Sequence, residues 1–322
     1  MNRESFRAAV LDGPRSVRFE ERPLPRPGPH QVRVRLEGCG VCGSNLSVWE
    51  GRPWFQYPLE AGSPGHEGWG RIDEVGPEVR GLKVGDRVAV LSHNAFAEVD
   101  VADAANVVPL PPVLDKAPFP GEALGCAMNV YRRSDIRAAQ NVAIVGIGFL
   151  GAVLTSLAAR AGARVIAVSR RPAALEVART MGASEVVSLD SPAVVSEVRA
   201  LTADRGCERV IEATGLQQPL DVAGELTAVR AKLIIAGYHQ DGRRQVDMQL
   251  WNWRGLDVIN AHERDPAVYV AGMRAAVEAV ASARLDPSPL YTHRFKLEEL
   301  SDALDSMRDR TGAFMKALVT YE

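Results

Sequence analysis

Several classes of protein are excluded by what the sequence lacks. Its charges nearly balance, with 38 Lys and Arg against 40 Asp and Glu, so nothing in the composition favours nucleic acid or an anionic membrane as a partner. Four cysteines in 322 residues do not make a disulfide framework. The first residues, MNRESFRAAVLDGP, contain no apolar signal-peptide core. We therefore expect a cytoplasmic protein with reduced cysteines and about two domains, without a nucleic-acid or membrane partner.

The N-terminal part is rich in proline, since 14 of the 20 prolines precede residue 122. Short β-rich runs, such as Arg7 to Leu11 and Gln31 to Leu36, alternate there with Gly, Pro and Asp. This texture predicts a compact, mainly antiparallel and barrel-like domain.

Near residue 120 the pattern changes to alternating strands and helices, which predicts an α/β fold with a doubly wound parallel sheet. One helix is expected to begin at Ser191-Pro192 and another to run from Asp265-Pro266 to about Ala283. Lys316 to Tyr321 is predicted to form a last strand that returns to the first domain. The six predicted strands of the sheet are Val142 to Val145, Arg164 to Val168, Glu185 to Leu189, Arg209 to Thr214, Lys232 to Ala236 and Leu256 to Asn260.

A glycine motif follows the first of these strands. Val142 to Ala159 carries no charge and is long enough for a membrane span, but three glycines at turn spacing argue against one. In a strand-turn-helix unit such glycines permit the turn, the approach of a pyrophosphate and close packing of the helix. The candidate cofactor-binding residues are Gly146, Gly148, Phe149, Leu150 and Gly151.

The position that reads the cofactor ribose carries no acid. NAD-binding chains usually place Asp or Glu about 20 residues after the first glycine, whereas this chain has Ser169, Arg170 and Arg171 there. A carboxylate would repel a 2′-phosphate, and a hydroxyl with guanidinium groups would bind it. The sequence therefore favours NADP(H) over NAD(H). The alternative is that these are ordinary loop residues before a helix opened by Pro172.

Ligands of doubly wound sheets bind beyond the carboxyl ends of the strands. The residues that follow the later strands are therefore further candidates for cofactor binding. They are Thr214, Gly237, Tyr238 and Ala261.

Potential zinc ligands lie in three glycine-flanked segments before the sheet. Thiolate, imidazole and carboxylate are the groups that zinc accepts, and a catalytic zinc keeps one position open. Each residue alone could be a core or surface residue, but together with a nucleotide fold they favour a metal site. The candidates are Cys42, His66, Glu67 and Glu122.

Taken together, these motifs resemble the zinc-containing medium-chain dehydrogenases/reductases. GVCGSN, GHEGWG, VGDRV, the Glu-containing segment before NVYRR, and GIGFLG occur in the family's order across almost the whole chain. GYHQDG, WNWRG and INAHERDP resemble a subgroup described as threonine- or sorbitol-dehydrogenase-like. The resemblance implies a GroES-like catalytic domain (1–120 and 285–322), an inserted Rossmann domain (121–284), and an active site in the cleft between them.

The resemblance also implies roles for individual residues. Cys42, His66 and Glu67, with Glu122, match the ligands of a catalytic zinc, and Ser44 matches the proton-relay hydroxyl. The family's usual Asp after this hydroxyl is Asn45 here, which raises the question of what supports His66. The four-cysteine lobe of many relatives is missing, because LSHNAFAEV follows directly after VGDRV, so we predict no structural zinc.

These features predict a zinc-dependent oxidoreductase that transfers a hydride between a nicotinamide cofactor and a secondary alcohol or ketone, such as a polyol, sugar, cyclitol or amino alcohol. Three alternatives stay open. They are a zinc-free enone or quinone reductase, a redox-neutral epimerase with tightly held cofactor, and a non-catalytic binding protein that kept the fold. The family implies a homodimer or homotetramer.

Overall fold

The computed structural model describes residues 4–321, which form two compact units. The first unit contains the residues up to Cys126 and those from Arg264 onwards, and the second unit is Ala127–Glu263. The domain boundaries predicted from the sequence, at residues 120 and 284, stay predictions.

The first unit is built mainly on antiparallel strands. A hairpin pairs β1 (Ser5–Gly13) with β2 (Ser16–Pro23). A separate sheet contains β3 (Gln31–Gly40), β4 (Glu67–Val75), β5 (Arg87–Leu91), β6 (Val99–Asp103), β7 (Val107–Pro109), β14 (His293–Lys296) and β15 (Ala317–Thr320). Its order is β14-β15-β3-β4-β5-β7, β6 also pairs with β3, and only β14–β15 is parallel.

The last strand returns to this sheet, as predicted. β15 lies between β14 and β3, with Leu318 opposite Gly40 and Val319 opposite Cys39. Beyond Gly40, the backbone N–H of Val41 donates to the carbonyl of Ala317 at 3.0 Å. The residues just before β15 are therefore held beside the segment that follows β3.

Four α-helices begin among the described residues of the first unit. They are α1 (Asn45–Trp49), α2 (Gly121–Ser134), which continues past the unit boundary, α8 (Pro266–Ala281) and α9 (Leu300–Asp309). The predicted start of α8 is confirmed, because the Asp265 side chain accepts a hydrogen bond from the N–H of Ala267 at 2.9 Å. α9 buries its apolar stripe in the core through Leu300, Leu304 and Met307.

The second unit is the predicted doubly wound sheet. Its six parallel strands are β8 (Asn141–Val145), β9 (Arg164–Ser169), β10 (Glu185–Ser188), β11 (Cys207–Glu212), β12 (Thr227–Ile235) and β13 (Asp257–Asn260). The connecting helices are α3 (Phe149–Arg160), α4 (Pro172–Thr180), α5 (Val194–Leu201), α6 (Gln217–Leu226) and α7 (Met248–Arg254). The order β10-β9-β8-β11-β12-β13 reverses direction between β8 and β11, and ligands bind at such a switch point.

The start predicted for α5 is wrong by two residues. Ser191 does not cap the helix, because its Oγ accepts from the N–H of Ala193 at 3.2 Å within a preceding turn. The helix then begins at Val194.

The uncharged run from Val142 to Ala159 divides into β8 and α3, with the glycine turn between them. No helix in residues 4–321 is both long and apolar enough to cross a membrane.

Candidate functional site

Antiparallel pairing of β3 with β4 brings the candidate metal ligands together. Cys42 follows β3, whereas His66 and Glu67 stand at the start of β4, and Cys39 pairs with Gly68 between the two strands. One ligand atom from each of Cys42, His66 and Glu67 lies within 4.8 Å of the other two. We call these three residues the metal cluster. Its thiolate, imidazole and carboxylate form a donor set that zinc accepts.

A backbone carbonyl fixes the His66 ring. Nδ1 of His66 lies 2.9 Å from the carbonyl oxygen of Pro64, so Nδ1 carries a proton and Nε2 is the nitrogen that can bind a metal once it is deprotonated. Asn45 supports the same arrangement, because its Nδ2 donates to the Pro64 carbonyl at 3.1 Å and its Oδ1 accepts from the N–H of Cys42 at 2.9 Å. The missing Asp therefore does not leave the imidazole unsupported, and Asn45 ties the loops of Cys42 and His66 together.

Glu67 is fully buried and forms an ion pair with the buried Lys316. Nζ of Lys316 donates to Oε1 at 2.6 Å and lies 2.5 Å from Oε2. Oε2 receives no well-aligned hydrogen bond from a described residue, so a metal ion could accept its remaining lone pairs. Burial lowers the pKa of Lys316, but the charge and hydrogen bond of Glu67, together with the charges of Cys42 and Glu122, outweigh burial and raise this pKa overall. Sequence reasoning missed Lys316 because only the pairing of β15 with β3 brings it here.

Glu122 lies beside the metal cluster but outside the group defined by the 4.8 Å separation. It stands in the first turn of α2, and its Oε1 accepts a hydrogen bond from the thiol of Cys126, one turn later, at 3.1 Å. Burial raises the pKa of Glu122, and the charge of His66 opposes that rise. Glu122 is therefore close enough to His66 for their charges to interact.

The charges of the metal cluster favour a cation. Burial acts to lower the pKa of His66, but the hydrogen bond and charge of Cys42, with the charges of Glu122 and Glu67, raise it to about 10. A proton on His66 thus compensates the negative groups when no metal is bound. A divalent ion would compensate them better, so the residues fit zinc.

Ser44 lies beside the metal cluster. Its hydroxyl oxygen is 3.5 Å from Nε2 of His66, the nitrogen that faces the ligands. Ser44 immediately precedes α1 and the loop of Cys42 fixes its backbone, since the N–H of Asn45 donates to the carbonyl of Cys42 at 3.0 Å.

The glycine turn in the second unit has the geometry of a phosphate-binding loop. Gly146 has a φ of +104°, which favours glycine, and its N–H donates to Val168 at 2.8 Å. A Cβ at Gly151 would overlap the carbonyl oxygen of Gly146, so α3 needs glycine there. A Cβ at Gly148 would meet no atom within 4 Å, which leaves its backbone open to a ligand. Phe149 and Leu150 begin α3, whose first N–H groups can bind an anion.

Ser169, Arg170 and Arg171 follow one another at the end of β9. Ser169 is buried, and the guanidinium of Arg171 donates to the carbonyl of Ile147 in the glycine turn at 3.2 Å. Arg170 donates to Oε1 of Gln218 at 2.9 Å, and its Nε lies 3.5 Å from a carboxylate oxygen of Asp190. Both guanidinium groups therefore stand at the carboxyl edge of the sheet.

The residues predicted beyond the later strands lie along this same edge. Tyr238 is exposed, and its ring stacks on His262 with centroids 5.2 Å apart, whereas Ala261 is buried. Gly237 approaches Gly215 so closely that a Cβ would overlap its backbone nitrogen. The hydroxyl of Thr214 donates to the Glu212 carboxylate.

Sequence reasoning missed the buried Glu212, which organises this edge. Its Oε1 accepts from the N–H groups of Thr214 at 2.6 Å and Gly215 at 2.9 Å, and its Oε2 from Nε2 of His239 at 2.9 Å. Nδ1 of His239 accepts from Nε of Arg244 at 3.0 Å, so His239 is the neutral tautomer protonated on Nε2. His239, a polar residue near the predicted cofactor site, is therefore engaged within the protein.

Comparisons with known proteins agree with this arrangement of parts. Residues 28–112 match the family model described as the alcohol dehydrogenase GroES-like domain, and residues 150–278 match the one described as zinc-binding dehydrogenase.

Two curated relatives align over nearly their full length. Human sorbitol dehydrogenase is 27% identical over 94% of this chain and 93% of its own. A protein of Mycoplasma pneumoniae described as "Probable NADP-dependent isopropanol dehydrogenase" is 28% identical over 94% of this chain and 96% of its own.

Solved structures share the fold. A protein of Sinorhizobium meliloti 1021 described as a "putative zinc-binding dehydrogenase", determined bound to NADP, superimposes with a TM-score of 0.86 at 24% identity, covering 99% of this chain and 100% of that one. The alcohol dehydrogenase of Thermus sp. ATN1 gives a TM-score of 0.84 at 24% identity, covering 98% and 100%.

Proposed function

Because the chain belongs to the zinc-type medium-chain dehydrogenases/reductases, we propose that it interconverts a secondary alcohol and its ketone with a catalytic zinc and NADP(H). It is an NAD(P)-dependent alcohol oxidoreductase. The observation that carries the finer proposal is the metal cluster with the Ser44 hydroxyl beside it.

Cys42 and His66 are the proposed fixed ligands of one zinc ion, and Glu67 or Glu122 completes the protein ligands. Support comes from the hydrogen bond between Nδ1 of His66 and Pro64, which leaves Nε2 as the nitrogen for the metal, and from the ion pair that holds Glu67 in place. When bound, the metal supplies a Lewis acid that makes an alcohol easier to deprotonate and a carbonyl easier to reduce. We propose no structural zinc.

Ser44 is the proposed carrier of the substrate proton. Its hydroxyl lies 3.5 Å from Nε2 of His66, so it can accept a proton from an alcohol placed at the metal cluster and donate one in the reverse reaction. Asn45 and Pro64 keep the surrounding loops in register for this transfer.

NADP(H) is the proposed cofactor. Gly146, Gly148 and Gly151, with Phe149 and Leu150, would hold the diphosphate on the N-terminus of α3. Ser169, Arg170 and Arg171 would bind the 2′-phosphate, because they place a hydroxyl and two guanidinium groups where other chains place an acid. Thr214, Gly237, Tyr238 and Ala261 would contact the rest of the dinucleotide from the ends of the later strands.

The proposed substrates are polyols, sugars, cyclitols or amino alcohols, and we propose a cytoplasmic homodimer or homotetramer. The test uses purified protein, metal analysis and a panel of secondary alcohols with NADP and NAD in parallel. Zinc-dependent reduction of NADP by a hydroxyl-rich secondary alcohol would support the proposal. Enone or quinone reduction by metal-free protein, or epimerisation without net cofactor turnover, would replace it.

A further inference from the structure

The guanidinium group of Arg310 lies beside the metal cluster and has no role in the proposed reaction. A Cβ added to Gly43, the residue after Cys42, would lie 3.5 Å from Nη2 of Arg310. Because Gly43 has no side chain, no side chain of this residue stands between the Cys42 loop and this nitrogen.

The terminal nitrogens of Arg310 have no carboxylate partner among residues 4–321. The side chain makes one hydrogen bond there, from Nε to the carbonyl of Met307 at 3.1 Å. The adjacent acid is occupied by another residue, since Arg308 binds Asp309 through Nε at 2.7 Å and through Nη2 at 3.0 Å. A guanidinium group has five N–H donors, so those of Nη1 and Nη2 are available to a ligand.

The backbone conformation of Arg310 is uncommon for a residue other than glycine. It ends α9 in the left-handed conformation, with φ +46° and ψ +43°, a position that glycine usually occupies. A long charged residue in such a conformation points to a use for its side chain.

The surroundings strengthen the attraction of this guanidinium for an anion. The residue as a whole is exposed, yet its charged group is shielded enough that burial lowers the pKa of Arg310, and the nearby charge of Cys42 opposes the shift. Charge interactions are stronger in such a partly desolvated place than in bulk water.

We propose that Arg310 is an oxyanion-binding residue of the metal site, which binds a carboxylate, phosphate or diphosphate group carried in by a reactant. The planar guanidinium fork suits a bidentate contact to such a group. Two reactants could carry the oxyanion, an acidic hydroxy substrate or the cofactor through its diphosphate. This inference rests on the proposed function, because it assumes that both reactants meet at the zinc.

The experiment compares zinc-loaded full-length protein with its Arg310→Gln, Arg310→Lys and Arg308→Gln variants. One arm measures the dissociation constant of NADPH by fluorescence and its displacement by inorganic pyrophosphate. The other arm measures KM for 3-hydroxybutyrate and 2-butanol, which share a secondary alcohol and differ in the carboxylate. Arg308→Gln is the matched control, because Arg308 is already paired with Asp305 and Asp309.

Arg310→Gln should weaken binding of one oxyanion carrier by about 10- to 100-fold, the usual size of a lost hydrogen bond to a charged group. A weaker hold on NADPH and pyrophosphate assigns the diphosphate, and a higher KM for 3-hydroxybutyrate alone assigns the substrate carboxylate. Arg310→Lys should recover part of the loss, and Arg308→Gln should change neither value. If Arg310→Gln, folded by its melting temperature, binds NADPH, pyrophosphate and 3-hydroxybutyrate as the wild type does, the inference is wrong.

The binding arm needs no turnover. A protein that binds NADPH through Arg310 but oxidises no alcohol would contradict the proposed function and leave the Arg310 assignment standing. A zinc enzyme that oxidises alcohols and is unaffected by Arg310→Gln would support the proposed function and contradict the Arg310 assignment.

Discussion

The metal cluster of the first unit is made of side chains, whereas the glycine turn at the carboxyl edge of the second unit's sheet acts through its backbone. Cys42, His66 and Glu67 come from two neighbouring strands, and their charges are balanced by Lys316 from the far end of the chain. At the sheet edge, Gly146, Gly148 and Gly151 lie within six residues and act through turn geometry and exposed N–H groups. Removal of one side chain should therefore abolish binding at the metal cluster. At the glycine turn, a single side-chain change nearby should alter which cofactor is preferred more readily than it abolishes cofactor binding.

The largest expected effect is the loss of Cys42. Cys42→Ala removes a thiolate ligand, so zinc content should fall and kcat/KM for a secondary alcohol should drop by about 1,000-fold or more, since metal assistance contributes several kcal/mol. Metal analysis and NADP reduction on the same sample check this. Cys39→Ala is the control, because Cys39 is a buried β3 residue outside the metal cluster and its replacement should leave zinc bound. Equal zinc loss in both variants would show that the ligand assignment is wrong.

The second effect concerns stability. Lys316→Met leaves Glu67 buried without its cation, which should lower the free energy of unfolding in chelator by about 3–5 kcal/mol. Calorimetry should show the change in the transition that contains the first unit. Lys232→Met in the second unit is the control, since Lys232 pairs with the more exposed Asp135 and should cost about 1 kcal/mol or less. Similar losses in both variants would contradict the special role of the buried pair.

The third effect changes selectivity at the sheet edge. Ser169→Asp places a carboxylate where a 2′-phosphate would bind, so the ratio of kcat/KM for NADP to that for NAD should fall by about 10- to 100-fold. Steady-state kinetics with both cofactors measure this ratio. Ser196→Asp adds the same charge at an exposed position on α5 and should leave the ratio unchanged. An unaltered ratio in Ser169→Asp would argue against NADP recognition at the end of β9.

The smallest effect is a pH dependence of metal binding. Without metal, the pKa of His66 is raised to about 10, so the ring is protonated at neutral pH and must release that proton to bind zinc. If only the proton released by His66 is counted, zinc affinity should rise about tenfold per pH unit until the pH reaches this pKa. Competition with a chelator at two pH values, corrected for protonation of the chelator, measures the slope. Affinity independent of pH would contradict a protonated His66 in the metal-free cluster.

The sheet edge could be predicted well from the sequence because its signals are local. The glycine spacing, the apolar strands and the residues after β9 lie within one short stretch, and the structure forms the strand, turn and helix that they predict. The error at Ser191 shows the limit of such reasoning. A serine before a proline can cap a helix or close a turn, and here it closes the turn that precedes α5.

The candidate ligands of the metal cluster could also be predicted, but not the residues that support them. Lys316 becomes a partner of Glu67 only through the pairing of β15 with β3, and Asn45 gains its role only when the carbonyl of Pro64 comes within reach. Glu212 likewise looks like an ordinary strand residue until its carboxylate accepts hydrogen bonds from two loops. Long-range pairing creates these contacts, so no local spacing reveals them.

The most direct test of the account combines metal content with activity. Purified protein is stripped with a chelator, reconstituted with zinc, and assayed with NADP and a hydroxyl-rich secondary alcohol at each stage. We predict one zinc per chain, loss of NADP reduction on stripping, and recovery when zinc is restored. Undiminished alcohol oxidation by the metal-free protein would contradict the central claim that Cys42 and His66, with Glu67 or Glu122, hold a catalytic zinc.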